Sequence, residues 1–228
     1  MKRSLAILSA CAAVIGAPVS SVAQAPGTLN LQFNPGTGFA GSTGTNFAVY
    51  SLATQADGKI LAGGLFSRFS GSGVTNYVRI NPDGSIDPTF FTGIGASATI
   101  RKMAIQPDGK ILLGGDFQTV NAITYPGIAR LHSTGFPDES FRPGSGADGS
   151  VRTIAIQTDQ TIYIGGSFSN YAGVARRGVA RLFSSGTLDA TFAPGAGVGG
   201  TVENMLLLSG GDLLLGGTIS NFNNTAVN

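Results

Sequence analysis

The sequence predicts an all-β protein assembled from antiparallel sheets that repeat along the chain. Three observations predict it: Gly-Gly pairs recur every 51 residues, turn signals alternate with short apolar runs, and no segment sustains a helical period. Of the 228 residues, 35 are glycine, only 11% are charged and 42% are hydrophobic. Such a composition is typical of a globular chain with many tight turns rather than of a disordered one.

The first predicted element is a secretory signal peptide over residues 1–23. Lys2 and Arg3 form a positive start, residues 5–17 are almost all apolar or small, and a small-residue cleavage site ends at Ala23. The apolar run is too short to span a bilayer. We therefore expect an exported protein, which is extracellular, periplasmic or attached to the cell surface.

Removal of the signal peptide changes the charge and the cysteine content. Because Lys2 and Arg3 leave with it, twelve basic and twelve acidic residues remain, so we expect no nucleic-acid partner. Cys11, the sole cysteine, also leaves, which excludes disulfides and thiolate metal sites. Cys11 lies in a lipobox-like sequence, but the apolar run continues past it, so a lipoprotein is disfavoured. No later segment is apolar enough for a transmembrane helix.

The predicted domain 24–228 is a tandem repeat. Each of four apolar runs ends in a Gly-Gly pair, and these pairs stand at 63–64, 114–115, 165–166 and 216–217. Phe90, Phe141 and Phe192 share the same step of 51 residues. Two hairpin turn signals per unit predict four strands per unit. In the second unit we expect these strands at about 100–106, 110–116, 127–132 and 136–141.

Four short antiparallel strands in a unit of this length are typical of a β-propeller blade. Stacking of the blades would bury the apolar second strands and the repeated phenylalanines. A β-sandwich is the alternative, but it gives no reason for the constant step. Three full units lie between partial units at 27–38 and 202–228, so we expect an incomplete propeller from a longer parent chain. Closure into a four-bladed ring is the alternative, although its closing blade would lack a third strand.

Two runs resemble a known repeat family. IQPDGKILLGGDF at 105–117 and VRINPDGSIDPTF at 78–90 are similar to the delta-60 repeat, which occurs in tandem in exported bacterial proteins. The resemblance extends over nearly everything from Gly27 onward, although the step here is shorter than the family's usual one. It implies a β-propeller repeat of unknown function, with no catalytic or ligand residues to carry over. Kelch repeats are less similar, because kelch blades have a tryptophan and this chain has none.

An arginine and an aspartate eight residues later repeat with the units. We expect structural charge-assisted pairs, since a single active site does not need the same pair in every blade. These pairs are Arg79 with Asp87, Arg130 with Asp138, and Arg181 with Asp189. His132 is the only histidine, so a multi-histidine metal site is excluded and a Ser-His-Asp triad has no support. We expect no catalytic residue, no metal and no cofactor.

Binding residues are expected where the units differ, which is the connection between the second and third strands. The candidates are Arg68, Asn76, Asn121, Tyr125, Asn170, Tyr171, Arg176 and Arg177. Such side chains on one rim suit a glycan or a protein surface. We therefore expect a secreted or cell-surface binding or structural module, or a spacer within a longer chain. The alternative is an exported hydrolase or lyase acting on polysaccharide, which would need acids that break the repeat within one funnel.

Overall fold

The computed structural model describes residues 32–42 and 46–227, and all of the regular structure in these residues is β. They form nineteen strands in antiparallel sheets. The described residues contain no helix long and apolar enough to cross a membrane. The predicted signal peptide, 1–23, with Cys11, lies outside the described residues.

Four successive units each contain one three-stranded sheet, and the second strand lies in the middle of each sheet. Unit 1 has β2 (Ala48–Thr54), β3 (Ile60–Leu65) and β6 (Tyr77–Ile80). Unit 2 has β7 (Ile100–Ile105), β8 (Ile111–Gly115) and β11 (Ile128–Leu131). Unit 3 has β12 (Val151–Ile156), β13 (Ile162–Gly166) and β16 (Val179–Leu182). Unit 4 has the longer strands β17 (Val198–Leu207) and β18 (Leu213–Phe222), with β19 (Thr225–Ala226).

The connection between the second and third strands folds into a small hairpin in units 1 to 3. These hairpins are β4 (Arg68–Phe69) with β5 (Ser72–Gly73), β9 (Thr119–Val120) with β10 (Ile123–Thr124), and β14 (Asn170–Tyr171) with β15 (Val174–Ala175). The end of a preceding segment pairs with each hairpin. In unit 1 that segment is β1 (Phe39–Ala40), and in unit 2 a bridge from Ala96 to Val120 takes the same place.

The fourth strand predicted for each unit is not formed. In unit 2 the segment 136–141 contributes only one bridge, between Leu131 and Pro137, and units 1 and 3 show the same single bridge. Pro137 has no N–H for a ladder. The next residue, Asp138, accepts a hydrogen bond from the Ser140 amide at 3.0 Å, which turns the chain away from the sheet. Each of units 1 to 3 is therefore a three-stranded sheet followed by a bridged turn.

Neighbouring units stack face to face, and their shared core explains why the second strands are apolar on both faces. Leu61 and Tyr77 of unit 1 pack in one cluster with Ile100, Met103 and Leu113 of unit 2. A second cluster joins units 2 and 3 in the same way. Burial of each such side chain contributes about 1.5–3 kcal/mol, so stacking is the main stabilising contact.

The Gly-Gly pairs permit this stacking. A Cβ on Gly114 would lie 2.9 Å from Val151 Cγ1, a side chain on the first strand of the next unit. A Cβ on Gly115 would lie 2.1 Å from the carbonyl oxygen of Thr99, beside the first strand of the same unit. Both distances are too short for a real Cβ. The absence of a side chain at the first glycine therefore allows the next unit to pack closely. The absence of one at the second glycine allows the neighbouring strand of the same unit to pack closely.

Candidate functional site

The three repeated arginines contact their aspartates with one geometry. Each arginine lies on the third strand of its unit, and each aspartate lies in the turn that follows. The distance from arginine Nε to aspartate Oδ2 is 2.8 Å in every pair. The pairs are Arg79 with Asp87, Arg130 with Asp138, and Arg181 with Asp189. Each pair fixes the turn to its sheet.

Further contacts tie the first pair to the next unit. The Lys59 ammonium lies 2.9 Å from Asp87, and the Arg79 guanidinium lies 4.6 Å from the centre of the Phe90 ring. Arg79 Nη1 donates to the carbonyl oxygen of Ser133 in unit 2 at 2.6 Å. The same set recurs in unit 2 with Lys110, Phe141 and Ser184. These clusters hold successive units together, which is a structural role.

The aspartates in these clusters stay ionised. Burial raises the pKa of Asp87, but hydrogen bonds from Thr89 and Lys59 outweigh it and hold that pKa well below its ordinary value. Asp138 shows the same balance, with Ser140 and Lys110 as donors. A carboxyl group held ionised in this way is unsuited to donate a proton near neutral pH.

Three of the eight predicted binding residues are buried, and for them the prediction of an exposed rim is wrong. Asn76, Tyr125 and Tyr171 lie in the interior. The Asn76 amide donates to the carbonyl oxygens of Ala96 and Ala98 at 2.9 and 3.0 Å, linking unit 1 to the chain that enters unit 2. Tyr125 and Tyr171 belong to the clusters between units, because the small hairpins fold back over the core.

Two more of these residues are half-buried and bind neighbouring segments. The Asn121 amide donates to the hydroxyl of Tyr77 at 2.9 Å, and the Asn170 amide donates to Asp148 at 2.7 Å. The remaining three are the half-buried Arg176 and the exposed Arg68 and Arg177. The connections thus serve mainly to join units, and only two of the eight side chains are exposed to solvent.

A different set of side chains comes together along the first strands. In each unit the pairing between the first and second strands shifts by one residue at an equivalent position of the first strand, which is a β-bulge, and unit 4 has a second shift between Gly199 and Gly200. The bulged residues are Tyr50, Arg101, Arg152 and Glu203, which we call the bulge row. A bulge leaves its residue unpaired and re-aims the side chain. The row has one residue per unit, and its side chains differ.

The bulge row is continuous because the first strands of successive units pack directly against one another. The Arg101 guanidinium lies 5.0 Å from the centre of the Tyr50 ring. Arg101 also donates from Nε and Nη2 to Asp116, with a shortest distance of 2.7 Å. Arg152 Nη1 donates to Glu203 Oε1 at 2.7 Å. The row and the neighbouring Asp116 together combine an aromatic face, two guanidinium groups and two carboxylates.

The formal charges of this site balance, because two guanidinium groups lie against two carboxylates. Burial raises the pKa of Asp116, but hydrogen bonds from Arg101 and from the Ser150 hydroxyl lower it more, so it lies below its ordinary value. The hydrogen bond to Asp116 raises the pKa of Arg101. The Nε atom of Arg152 is buried, and no described residue accepts a hydrogen bond from it. Arg152 Nε is therefore a buried donor without an acceptor among the described residues.

The described residues hold no group of three His, Cys, Asp or Glu side chains that could bind a metal ion. The single histidine, His132, lies with Nε2 3.8 Å from Asp138 Oδ1, at the edge of the unit 2 cluster. This position makes His132 part of a structural turn.

Solved structures from several bacteria have partial similarity to this chain. The extracellular domain of BT4673 from B. thetaiotaomicron has a TM-score of 0.46 at 20% identity, over 76% of this chain and 20% of that chain. Virginiamycin B lyase from Staphylococcus aureus has a TM-score of 0.36 at 15% identity, over 78% of this chain and 51% of that chain. PorZ is a surface component of the type-IX secretion system of Porphyromonas gingivalis. It has a TM-score of 0.36 at 14% identity, over 73% of this chain and 24% of that chain. This chain thus spans between 20% and 51% of their lengths.

One family model matches the chain three times. Its description is "Domain of unknown function (DUF5122) beta-propeller", and the matched residues are 55–90, 106–141 and 157–192. Each match begins in the turn between the first and second strands and ends at the repeated phenylalanine. No curated protein matches the sequence. The three matches fall on units 1 to 3 of this all-β fold, and these three segments are similar to the β-propeller repeat that the family model describes.

Proposed function

We propose that this protein is an exported β-propeller module that binds a glycan, or a protein surface, without catalysis. Its unit is of the delta-60 type and repeats every 51 residues. The signal-peptide pattern of residues 1–23 supports export. The starts of the three family matches, at 55, 106 and 157, support the repeat, because each lies 51 residues after the last.

The bulge row carries the proposal of a binding role. Where the fold needs a particular residue, the units repeat it, as in the arginines and aspartates of the structural clusters. The bulge repeats in all four units as well, yet its side chains are Tyr50, Arg101, Arg152 and Glu203. The backbone bulge thus recurs in every unit while the side chain at the bulge differs, and each of these side chains is partly exposed. Different exposed side chains at equivalent positions are typical of a ligand-binding surface.

The chemistry of the row favours a glycan over other ligands. The half-exposed ring of Tyr50 offers an apolar face that can pack against a sugar ring. Planar guanidinium groups donate paired hydrogen bonds to hydroxyls and carboxylates. The Arg101 and Arg152 side chains are 27% and 28% exposed, so parts of both guanidinium-bearing side chains are open to solvent.

The alternative, a polysaccharide hydrolase or lyase, is less well supported by this geometry. Asp116 and Glu203 are acids that break the repeat, as such an enzyme would need. Each, however, is bonded to an arginine, and the pKa of Asp116 is lowered. A glycosidase needs one carboxyl group whose pKa is raised, so that it can donate a proton. The row therefore favours binding.

A glycan array with the purified protein tests the proposal. Tyr50→Ala and Arg152→Ala should each weaken binding about 10-fold or more, because each removes a central contact. Arg177→Ala is the matched control, since it removes an exposed arginine outside the row and should leave binding unchanged. Loss of binding in the Arg177 variant alone would move the site to the predicted rim. Release of cleaved or unsaturated products would favour the enzyme.

A further inference from the structure

One position on the first strand, directly after the bulge, has a small hydroxyl side chain in units 1 and 3 and a lysine in unit 2. The three residues are Ser51, Lys102 and Thr153. In each unit this residue pairs with the first glycine of the Gly-Gly pair, so the three backbone positions are equivalent. Comparison of the units therefore shows what the fold needs at this position.

In units 1 and 3 the position is a buried contact with the next unit. Ser51 Oγ accepts a hydrogen bond from the Met103 amide of unit 2 at 2.9 Å. Thr153 faces the same way, because a Cβ on Gly165 would lie 2.7 Å from Thr153 Cγ2 and 2.8 Å from Val202 of unit 4. Ser51 and Thr153 are 6% and 4% exposed. A small side chain with a hydroxyl thus meets the needs of the fold.

Lys102 cannot make the contact that Ser51 makes, because an ammonium group has donors and no acceptor. Its side chain is half-buried, and no ion pair or side-chain hydrogen bond joins it to another described residue. The other two lysines in the described part of the chain each contact an aspartate. Lys59 lies 2.9 Å from Asp87, and Lys110 lies 3.1 Å from Asp138. A half-buried ammonium without such a partner is a cost to the fold.

Lys102 also changes the charge beside the bulge row. Each guanidinium group of the row is already paired with a carboxylate at 2.7 Å, in the pairs Arg101 with Asp116 and Arg152 with Glu203. Lys102 directly follows Arg101, and its strand β7 packs against β12, which carries Arg152. The inner strands of units 2 and 3 therefore carry one positive charge beyond these balanced pairs, and a positively charged site attracts anions.

We propose that the glycan bound along the bulge row is acidic, and that Lys102 binds its carboxylate or sulfate group. This inference rests on the binding role proposed above and names the class of sugar. An ammonium group binds an oxyanion as a compact point charge with several donors. The anion supplies the partner that Lys102 lacks, while the paired arginines keep their carboxylates and contact the sugar hydroxyls.

Calorimetric titration of the full chain with matched sugars tests the charge preference. The probes are tetragalacturonate, its methyl ester as the neutral counterpart, and a sulfated galactose tetrasaccharide. At least one of the two acidic probes should bind about 10-fold or more tightly than the ester, and added salt should weaken that binding. Preference for the uronate identifies a carboxylate as the ligand group, and preference for the sulfated sugar identifies a sulfate. Equal binding of all three probes would overturn the inference.

Substitution of Lys102 tests whether this side chain sets the preference. Lys102→Thr introduces the residue that unit 3 has at this position, so the variant should fold, and its urea midpoint should equal or exceed that of the wild type. It should lose about 10-fold in affinity for the acidic probe and keep its affinity for the ester. Lys102→Arg should retain the preference. Arg177→Thr is the matched control, since it removes an exposed cation outside the row and should change neither affinity.

The outcomes separate this inference from the binding role on which it rests. If Tyr50→Ala weakens binding but acid and ester bind equally well, the row is the site and the acidic ligand is wrong. If no glycan binds, both proposals fail. A lower urea midpoint in Lys102→Thr, or unchanged affinity for the acidic probe, would show that Lys102 serves the fold rather than the ligand, and would also overturn the inference.

Discussion

Replacing Asp138 by alanine removes the central acceptor of the unit 2 cluster. Its carboxylate accepts from Arg130 Nε at 2.8 Å and from the Ser140 amide at 3.0 Å, and it lies 3.1 Å from Lys110 Nζ. The side chains of Asp138 and Arg130 are 3% and 7% exposed. Asp138→Ala would leave the Arg130 charge buried, with the Ser140 hydroxyl and the Ser184 carbonyl as its remaining hydrogen-bond acceptors.

Removal of one partner from a buried ion pair costs about 3–5 kcal/mol of unfolding free energy. Asp189→Ala in unit 3 is the matched comparison, because the Nε–Oδ2 distance to Arg181 is also 2.8 Å. There the Arg181 side chain is 27% exposed, and Thr161 stands where units 1 and 2 have a lysine. Water screens that pair, so Asp189→Ala should cost about 1–2 kcal/mol, mostly from the lost hydrogen bonds that the Thr191 amide and hydroxyl donate to Asp189.

Urea denaturation followed by circular dichroism measures both changes, with Asp108→Ala as a control in an exposed hairpin turn. The Asp138 variant should lose at least about 1 kcal/mol more stability than the Asp189 variant. Equal losses at the two positions, or a loss below about 1 kcal/mol at Asp138, would refute the reasoning that burial sets the magnitude.

Three further predictions concern stability. Gly114→Ala should destabilise by about 2–4 kcal/mol, because its Cβ would meet the next unit, whereas Gly216→Ala should change the denaturation midpoint little. The pKa values of Asp87 and Asp138 are lowered on folding, so the stability they contribute is complete above about pH 5. That stability is lost as the pH falls through about 4 toward the folded pKa. In the Asp138→Asn variant, the unfolding free energy should therefore fall less steeply with decreasing pH than in the wild type. Gln160 has φ of 69°, so Gln160→Gly should stabilise by up to about 1 kcal/mol in a thermal melt.

The connections between the second and third strands show where sequence reasoning failed. Tyr and Asn in a variable segment indicated binding, but Tyr171 is buried between units and Asn76 holds a left-handed turn with φ of 69°. A signal for Asn76 was present in the sequence, because its place is taken by Gly127 and Gly178, whose φ values are 74° and 73°. An asparagine that alternates with glycine indicates a backbone role.

The bulge row had a weaker signal. Tyr50, Arg101, Arg152 and Glu203 stand 51 residues apart, but they share no chemistry that a search for repeated residues would find. Their bulges depend on Gly-Gly pairs in the neighbouring strand, and each pair was visible as a marker of the unit. The sequence therefore located the strand, and the pairing register identified the residue.

Local and repeated features followed from the residues alone: the hairpin turns, the apolar second strands, the Gly-Gly markers and the arginines spaced eight residues from aspartates. They follow because each depends on neighbours within one unit, and the repeat presents the same pattern several times. Three features required the tertiary structure: the reduction of the fourth strand to one bridge, the burial of Tyr125 and Tyr171, and the contact of Arg101 with Tyr50. Each depends on how one unit lies against the next, which is set by contacts between residues about fifty positions apart.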